Sequence, residues 1–384
     1  MLPLGWYAVV FVVAVITTAL ATWPAISLAT AIGYVDVPKD RKVHARVTPY
    51  GGGAAMFVGF CVAMATAAAI PQFRPLFHAS SEALGVVFAG TAIFIVGLID
   101  DLRDMSAPAK MAGQVLAASI LYFCGATMYQ FHIPLTGQFV VLSPSIVPLV
   151  TAVWVIALTN AVNLIDGLDG LASGIVSIGS AALALYGLKL EGLGLLPLSN
   201  IGPLIAIIAC GICLGFLVFN FHPAKIFMGD AGALFLGLLL SASTMVIGGR
   251  TPPASGITYF FFAPLFLPFF ILGIPILDMV MAFIRRTAKG TGFSTADKDH
   301  IHHRLLRLGH GHRRAVLTLW AWTAVLSSLV LTPLFIPSLT TVVPFAAIVA
   351  GIGLVLLFWP DQRSRATEEP IEPLAPALVV HDES

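Results

Sequence analysis

The chain has 384 residues, 58% of them hydrophobic and only 10% charged, with a net charge of +1 and a mean hydropathy of +0.95. Soluble domains carry roughly 25% charged residues, so a water-soluble fold, a disordered chain, a coiled coil and a secreted disulfide scaffold are excluded. The balanced charge gives no basic field of the kind that binds nucleic acid.

What remains is an all-α polytopic membrane protein. A spanning helix needs about 20 apolar residues. Eleven apolar runs occur in chain order, at about 5–33, 51–71, 83–100, 107–127, 145–164, 170–188, 199–220, 231–249, 256–284, 315–334 and 339–359. The first run has no basic residue ahead of it and exceeds the roughly 7–15 residues of a signal-peptide core. It is expected to be a retained span. Residues 129–143 alternate apolar and polar around Leu-Thr-Gly, which fits a small outer-side β-hairpin. Residues 1–360 form one integral membrane domain, and the Pro- and Glu-rich stretch 361–384 reads as a disordered tail. The four cysteines, Cys61, Cys124, Cys210 and Cys213, lie inside apolar runs and read as small core residues.

Alternation of the spans puts 17 of the 20 basic residues on one side, leaving Arg74, Lys189 and Arg250 on the other. The positive-inside rule makes the basic side cytoplasmic, with the N-terminus outside and the C-terminus inside. All the acidic residues except Glu82 and Glu191 lie on or near that side too. Acidic residues contribute little to topology, so their bias points to a functional surface.

Five polar segments build this surface. The first runs from Asp36 through Lys42 and His44 to the Gly51–Gly53 turn; anchoring to headgroups is the simplest account of its basic residues. The second holds Asp100, Asp101 and Asp104, with Lys110 and Gln114 beyond. Adjacent carboxylates repel one another and favour a cation between them. If the helix continues, Asp100 and Asp104 share a face. The third places Asn160, Asn163, Asp166 and Asp169 three apart, hard oxygen donors of the type Mg²⁺ prefers. The fourth carries Asn220, His222, Lys225, Phe227 and Asp230 at the start of a span, where a carboxylate is favourable in its own right. The fifth, 285–314, holds His300, His302, His303, His310 and His312. Zinc held by His300 and His303 is weighed against basic contacts to phosphate, which fit better. Asp278, inside the ninth run, is either a functional group or a structural partner within the membrane.

These segments resemble the polyprenyl-phosphate N-acetylhexosamine-1-phosphate transferases. The resemblance rests on D-V-P-K-D-R-K-V-H with its glycine run, the Asp100–Asp101 pair, N-A-V-N-L-I-D-G-L-D-G-L-A, F-N-F-H-P-A-K-I-F-M-G-D-A-G and D-K-D-H-I-H-H-R-L, in that order over residues 36–305. The His-Ile-His-His form resembles the N-acetylglucosamine branch (WecA/TagO-like) rather than the MraY branch, whose three consecutive histidines are missing here.

The resemblance implies transfer of N-acetylglucosamine-1-phosphate from its UDP donor to undecaprenyl phosphate, with release of UMP. It implies Mg²⁺ or Mn²⁺ on Asp230, with Asn163 as second ligand, and a uridine-contacting acid at Asp169 beside Phe227 and Asn220. Asp166, Lys42, His44, His300 and Arg304 are further substrate-binding candidates, and Lys110 would hold phosphate. Asp100, Asp101, Asp36, His302 and His303 are the catalytic candidates. The implied partners are the UDP-sugar, the polyprenyl phosphate, the membrane and, as a candidate, a second copy of the chain. Another UDP-amino sugar or UDP-N-acetylmuramoyl-pentapeptide is the alternative donor. A secondary transporter is the non-enzyme alternative, but its polar groups would gather at the bilayer midplane. An intramembrane aspartyl protease would need two acids at depth.

Overall fold

The computed structural model describes residues 4–36, 47–132, 139–249 and 312–335, with position 351. In chain order the described elements are α1 (Leu4–Ala31), β1 (Val35–Asp36), β2 (Thr48–Pro49), α2 (Gly52–Ala69), α3 (Arg74–His78), α4 (Glu82–Arg103), α5 (Ala107–Phe123), β3 (Gln130–His132), β4 (Phe139–Val141), α6 (Val147–Ile165), α7 (Leu171–Gly192), α8 (Gly202–Asn220), α9 (Gly229–Gly248) and α10 (His312–Phe335).

Seven of the described helices, α1, α2, α4, α6, α7, α8 and α9, are long and apolar enough to cross a bilayer. The chain is a polytopic, all-α membrane protein. The run at 107–127 appears as the 17-residue α5, and that at 315–334 lies within α10. The runs at 256–284 and 339–359 fall outside the described residues, so the expected total of eleven spans is not reached among them. The hairpin expected at 129–143 is present: β3 and β4 pair antiparallel with Phe131 opposite Val140.

Burial follows sequence closely. α9 is apolar all round, and nearly every residue from Ala231 to Ile247 is buried. It is the central helix, packed among α2, α4, α6 and α8. A helix hydrophobic on all sides belongs inside a membrane bundle. α1, by contrast, exposes Leu4, Val12, Ile16, Leu20 and Trp23, a surface that suits lipid and would be costly in water. Phe57 stacks on Phe94, with ring centroids 4.5 Å apart, and meets Phe235 edge-on at 5.5 Å, so α2, α4 and α9 are locked together by aromatic contact. Cys210 and Cys213 are buried in α8 and all four cysteines are free thiols.

Successive helices run up and down. The C-terminal ends of α4, α6 and α8 therefore meet the N-terminal ends of α5, α7 and α9 at one end of the bundle. The β3–β4 hairpin lies at the other end. There the Tyr129 N–H donates to the Gly249 carbonyl at 3.2 Å.

Candidate active site

The gathered helix ends carry the polar segments. α4 stops at Arg103 because Asp104 turns into the left-handed region at φ 47°. The helix thus ends at the point where a shared face for Asp100 and Asp104 would have needed it to continue. The Asp104 N–H makes the last helical hydrogen bond, to the Asp100 carbonyl at 2.9 Å, and beyond it the Met105 N–H donates to Asp100 Oδ1 at 2.7 Å. This frees Asp100 Oδ2 to face inward, where Lys110 Nζ from the first turn of α5 lies 2.6 Å away. The same ammonium pairs with Asp230 Oδ2 from the first turn of α9. Asn163, near the end of α6, completes the group. With its amide oriented to satisfy both neighbours, Nδ2 donates to Asp230 Oδ1 and Oδ1 accepts from Lys110 Nζ, each at 3.0 Å. Three oxygens from three helices thus converge on one cationic centre.

Asp101 behaves differently from its neighbour. Its Oδ1 accepts the Asp230 N–H at 2.7 Å and its Oδ2 the Ala231 N–H at 3.0 Å. A carboxylate from α4 thereby caps the N-terminus of α9. Such a cap satisfies orphan donors and complements the helix dipole. Two glycines permit it. Gly229 has φ 68°, and a Cβ there would stand 2.5 Å from Asp101 Oδ2; a Cβ on Gly97 would stand 2.5 Å from the Ala231 Cα. Any larger residue at either position would drive α4 and α9 apart where Asp230 is set.

A clasp from the first polar segment closes over this end. The Gly52 and Gly53 N–H groups donate to the Phe227 and Met228 carbonyls, both at 3.0 Å, and the Phe227 N–H donates to Pro49 O at 2.9 Å. β1 and β2 pair with Asp36 opposite Thr48, which buries Asp36. Tyr34, Tyr50 and Phe227 form an aromatic row, with centroids 5.4 and 6.0 Å apart. The Tyr50 hydroxyl bonds Asp36. The Tyr34 hydroxyl is buried near Asp101 but outside good hydrogen-bond geometry. Burial, then the adjacent carboxylate, holds both phenols well above the ordinary tyrosine range, so they stay protonated.

The third segment leaves the helix partway along. α6 ends at Ile165, so the four polar residues diverge. Asn160 Nδ2 donates to Gln114 Oε1 at 3.0 Å, behind Lys110. Asp166 sits in the turn facing Asp230, Asp101 and Asp169; burial first, and then those three charges, push its carboxyl well above the usual range. Asp169 Oδ2 lies 2.7 Å from His222 Nδ1 and accepts the Ala224 N–H at 3.1 Å.

Asn220 stands behind the site. It is 2% exposed; its Oδ1 accepts from the Gly170 N–H and Ser173 Oγ, and its Nδ2 donates to Ile226 O. These bonds tie α7, α8 and the 222–229 segment together. Lys225 is exposed. Lys42, His44, His300, His302, His303, Arg304 and Asp278 lie outside the described residues. Sequence reasoning missed Tyr34, Tyr50 and Ser173, and it left His222 and His312 without a partner. The only available signals were the position of Tyr34 just before Asp36 and of Tyr50 just before the glycine run.

The donor set suits a hard divalent cation. Carboxylate and amide oxygens are what Mg²⁺ takes, and the ammonium already drawn among Asp100, Asp230 and Asn163 marks the place as one that favours positive charge.

The model of the glycosyl transferase family 4 matches residues 83–248, which span α4 to α9. Over 361 residues the chain is 38% identical to the decaprenyl-phosphate N-acetylglucosaminephosphotransferase of Mycobacterium tuberculosis (strain ATCC 25618 / H37Rv), covering 92% of this chain and 89% of that protein. It is 36% identical over 312 residues to a probable undecaprenyl-phosphate N-acetylglucosaminyl 1-phosphate transferase of Bacillus subtilis (strain 168), covering 81% and 80%. It is 30% identical over 319 residues to the undecaprenyl-phosphate alpha-N-acetylglucosaminyl 1-phosphate transferase of Escherichia coli (strain K12), covering 81% and 80%. With most of its length matched, and its five polar segments in the expected order, the chain belongs to the polyprenyl-phosphate N-acetylhexosamine-1-phosphate transferase family.

Proposed function

We propose that the protein transfers N-acetylglucosamine-1-phosphate from UDP-N-acetylglucosamine to a polyprenyl phosphate and releases UMP. The observation that carries this reading is the convergence of Asp100, Asp230 and Asn163 on Lys110 at the end of an apolar bundle. A soluble sugar nucleotide and a lipid phosphate can meet only at such an interface.

An oxygen of the lipid phosphate attacks the β-phosphorus of the donor. The bond from that phosphorus to the bridging oxygen breaks, and UMP leaves with the electron pair. Phosphoryl transfer is catalysed mainly by positioning and charge neutralisation. Lys110 contributes fixed positive charge to the phosphates. Asp230 and Asn163 are assigned to Mg²⁺ or Mn²⁺; when bound, the ion supplies further positive charge at the pyrophosphate. A phosphate monoester has a second pKa of about 6, so the attacking lipid phosphate needs no strong base. Asp100, with its inward Oδ2, orients it. Asp101 is read as a positioning residue, since both its oxygens hold α9. Asp169 and Asp166, with Phe227, face the nucleotide. Asp36, Lys42, His44, His300, His302, His303 and Arg304 are assigned to the sugar and phosphate side from the sequence motifs.

The donor is testable directly. With purified protein in detergent, UDP-N-acetylglucosamine should release UMP in the presence of polyprenyl phosphate, faster than UDP-N-acetylmuramoyl-pentapeptide or other UDP-amino sugars. Faster turnover of the pentapeptide donor would replace the branch assignment, and no UMP from any donor would remove the transferase reading in favour of a transporter.

The site is assigned to the cytoplasmic face of a bacterial inner membrane, on the strength of the basic bias. Single cysteines at Gln72 and Ser294, introduced after the native cysteines are replaced, check this. A membrane-impermeant thiol reagent applied to whole cells should label Gln72→Cys alone, and labelling of Ser294→Cys instead would invert the topology.

A further inference from the structure

Away from the Lys110 centre, three side chains from separate stretches meet. Asp169 follows α6, His222 follows α8, and His312 is the first residue of α10. His222 Nδ1 lies 2.7 Å from Asp169 Oδ2. An ionised carboxylate can only accept, so Nδ1 carries the hydrogen. The Ala224 N–H donates to the same oxygen at 3.1 Å. The His222 ring stacks on His312, with centroids 4.2 Å apart and planes 17° from parallel. Arg313 Nε donates to the His222 carbonyl at 3.1 Å, and Trp320 packs on Phe221 at 5.7 Å. The start of α10 therefore grips the 221–222 turn by two ring contacts and a hydrogen bond.

Two histidines and an aspartate with donor atoms within 4.8 Å of one another are also a zinc-type set. The geometry is poor for that purpose. Nearly parallel stacked imidazoles aim their in-plane lone pairs alongside each other rather than at a common point. Asp169 Oδ2 is also already engaged by two N–H donors.

We propose that His222, backed by His312, is a positioning residue for nucleotide recognition. It pins Oδ2 of Asp169, so that Oδ1, which takes no hydrogen bond among the described residues, is held out as an acceptor for an N–H or O–H of the nucleoside. The inference rests on the reading of Asp169 as a nucleotide contact. His312 directly follows the histidine-rich segment in sequence, so the same stack ties the start of α10 to the nucleotide pocket.

The chemistry of His222 makes the test specific. In His222→Asn the side-chain amide stands where Nδ1 stands, whereas in His222→Gln it reaches to the place of Nε2. Calorimetry with UMP and steady-state kinetics with UDP-N-acetylglucosamine are run on the full-length protein in detergent. His222→Ala should weaken UMP binding and raise the donor KM about tenfold, the scale of a lost hydrogen bond to a charged group, with kcat within about threefold. His222→Asn should recover most of the loss and His222→Gln little. His312→Phe, which keeps the stack, should outperform His312→Ala. If His222→Ala fails to fold, the Asn and Gln pair carries the comparison. Equal behaviour of Asn and Gln would overturn the proposal, as would stoichiometric zinc in the purified protein that disappears in His222→Ala or His312→Ala. Asp169→Ala separates the two levels. If it leaves UMP affinity unchanged, the nucleotide reading of Asp169 fails; if it weakens UMP binding while His222→Ala does not, the positioning role alone fails.

Discussion

Asp230→Asn is expected to abolish turnover and the metal dependence of donor binding together. The substitution keeps the side chain's size but removes the charge that pairs with Lys110 and that is assigned to the divalent ion. Loss of preorganised electrostatic stabilisation in a phosphoryl-transfer site costs about 10²–10³-fold in kcat, and loss of a metal-ligand charge should add to it. Calorimetry with UDP-N-acetylglucosamine, with and without Mg²⁺, beside a radiolabelled lipid assay, reads both effects. An Asp230→Asn enzyme that turned over within a few-fold of the parent and kept Mg²⁺-dependent binding would move the metal site elsewhere.

The Asp100–Asp101 pair should split by what each substitution disturbs. Asp100→Asn leaves an oxygen for the Met105 N–H but weakens the hold on Lys110 and the lipid phosphate. It should cut kcat by about 10²-fold, the scale of a lost positioned acid or base, with donor affinity nearly unchanged. Asp101→Asn puts an NH₂ against one of the two N–H groups that its carboxylate now accepts. A buried donor left without an acceptor costs about 1–3 kcal/mol. The thermal midpoint should therefore fall, and metal-dependent binding should fall with it because Asp230 sits on the displaced turn. If Asp100→Asn lowered the midpoint and Asp101→Asn lowered only kcat, the roles would be exchanged.

Much of this site was legible in the sequence because the chemistry-bearing residues sit where apolar runs stop. Alternation of spans alone puts Asp100, Lys110, Asn163 and Asp230 at one end, and the structure brings these four together. Less legible was what each group does once there. Asp101 looks like a twin of Asp100, yet it caps a helix whose first turn lies 129 residues further on; no local pattern encodes that. The four polar residues from Asn160 to Asp169 look alike in their spacing, but α6 ends at Ile165 and sends Asn160 to Gln114 and Asp169 to His222. Nor does the motif around Asn220 show the three internal hydrogen bonds by which it braces α7, α8 and the 222–229 segment. In each case a tertiary partner, distant in sequence, decides the role.

The all-round burial of α9 also has a consequence for biogenesis. Its neighbours α2, α4, α6 and α8 all precede it in the chain, so it enters a space that earlier helices have already outlined. Any nascent chain that ends before Asp230 lacks both N–H groups that Asp101 receives and the second carboxylate that Lys110 pairs with. The ribosome has therefore delivered more than half of the protein before the cluster around Lys110 can close, and the insertion of one helix both fills the bundle's interior and completes that cluster.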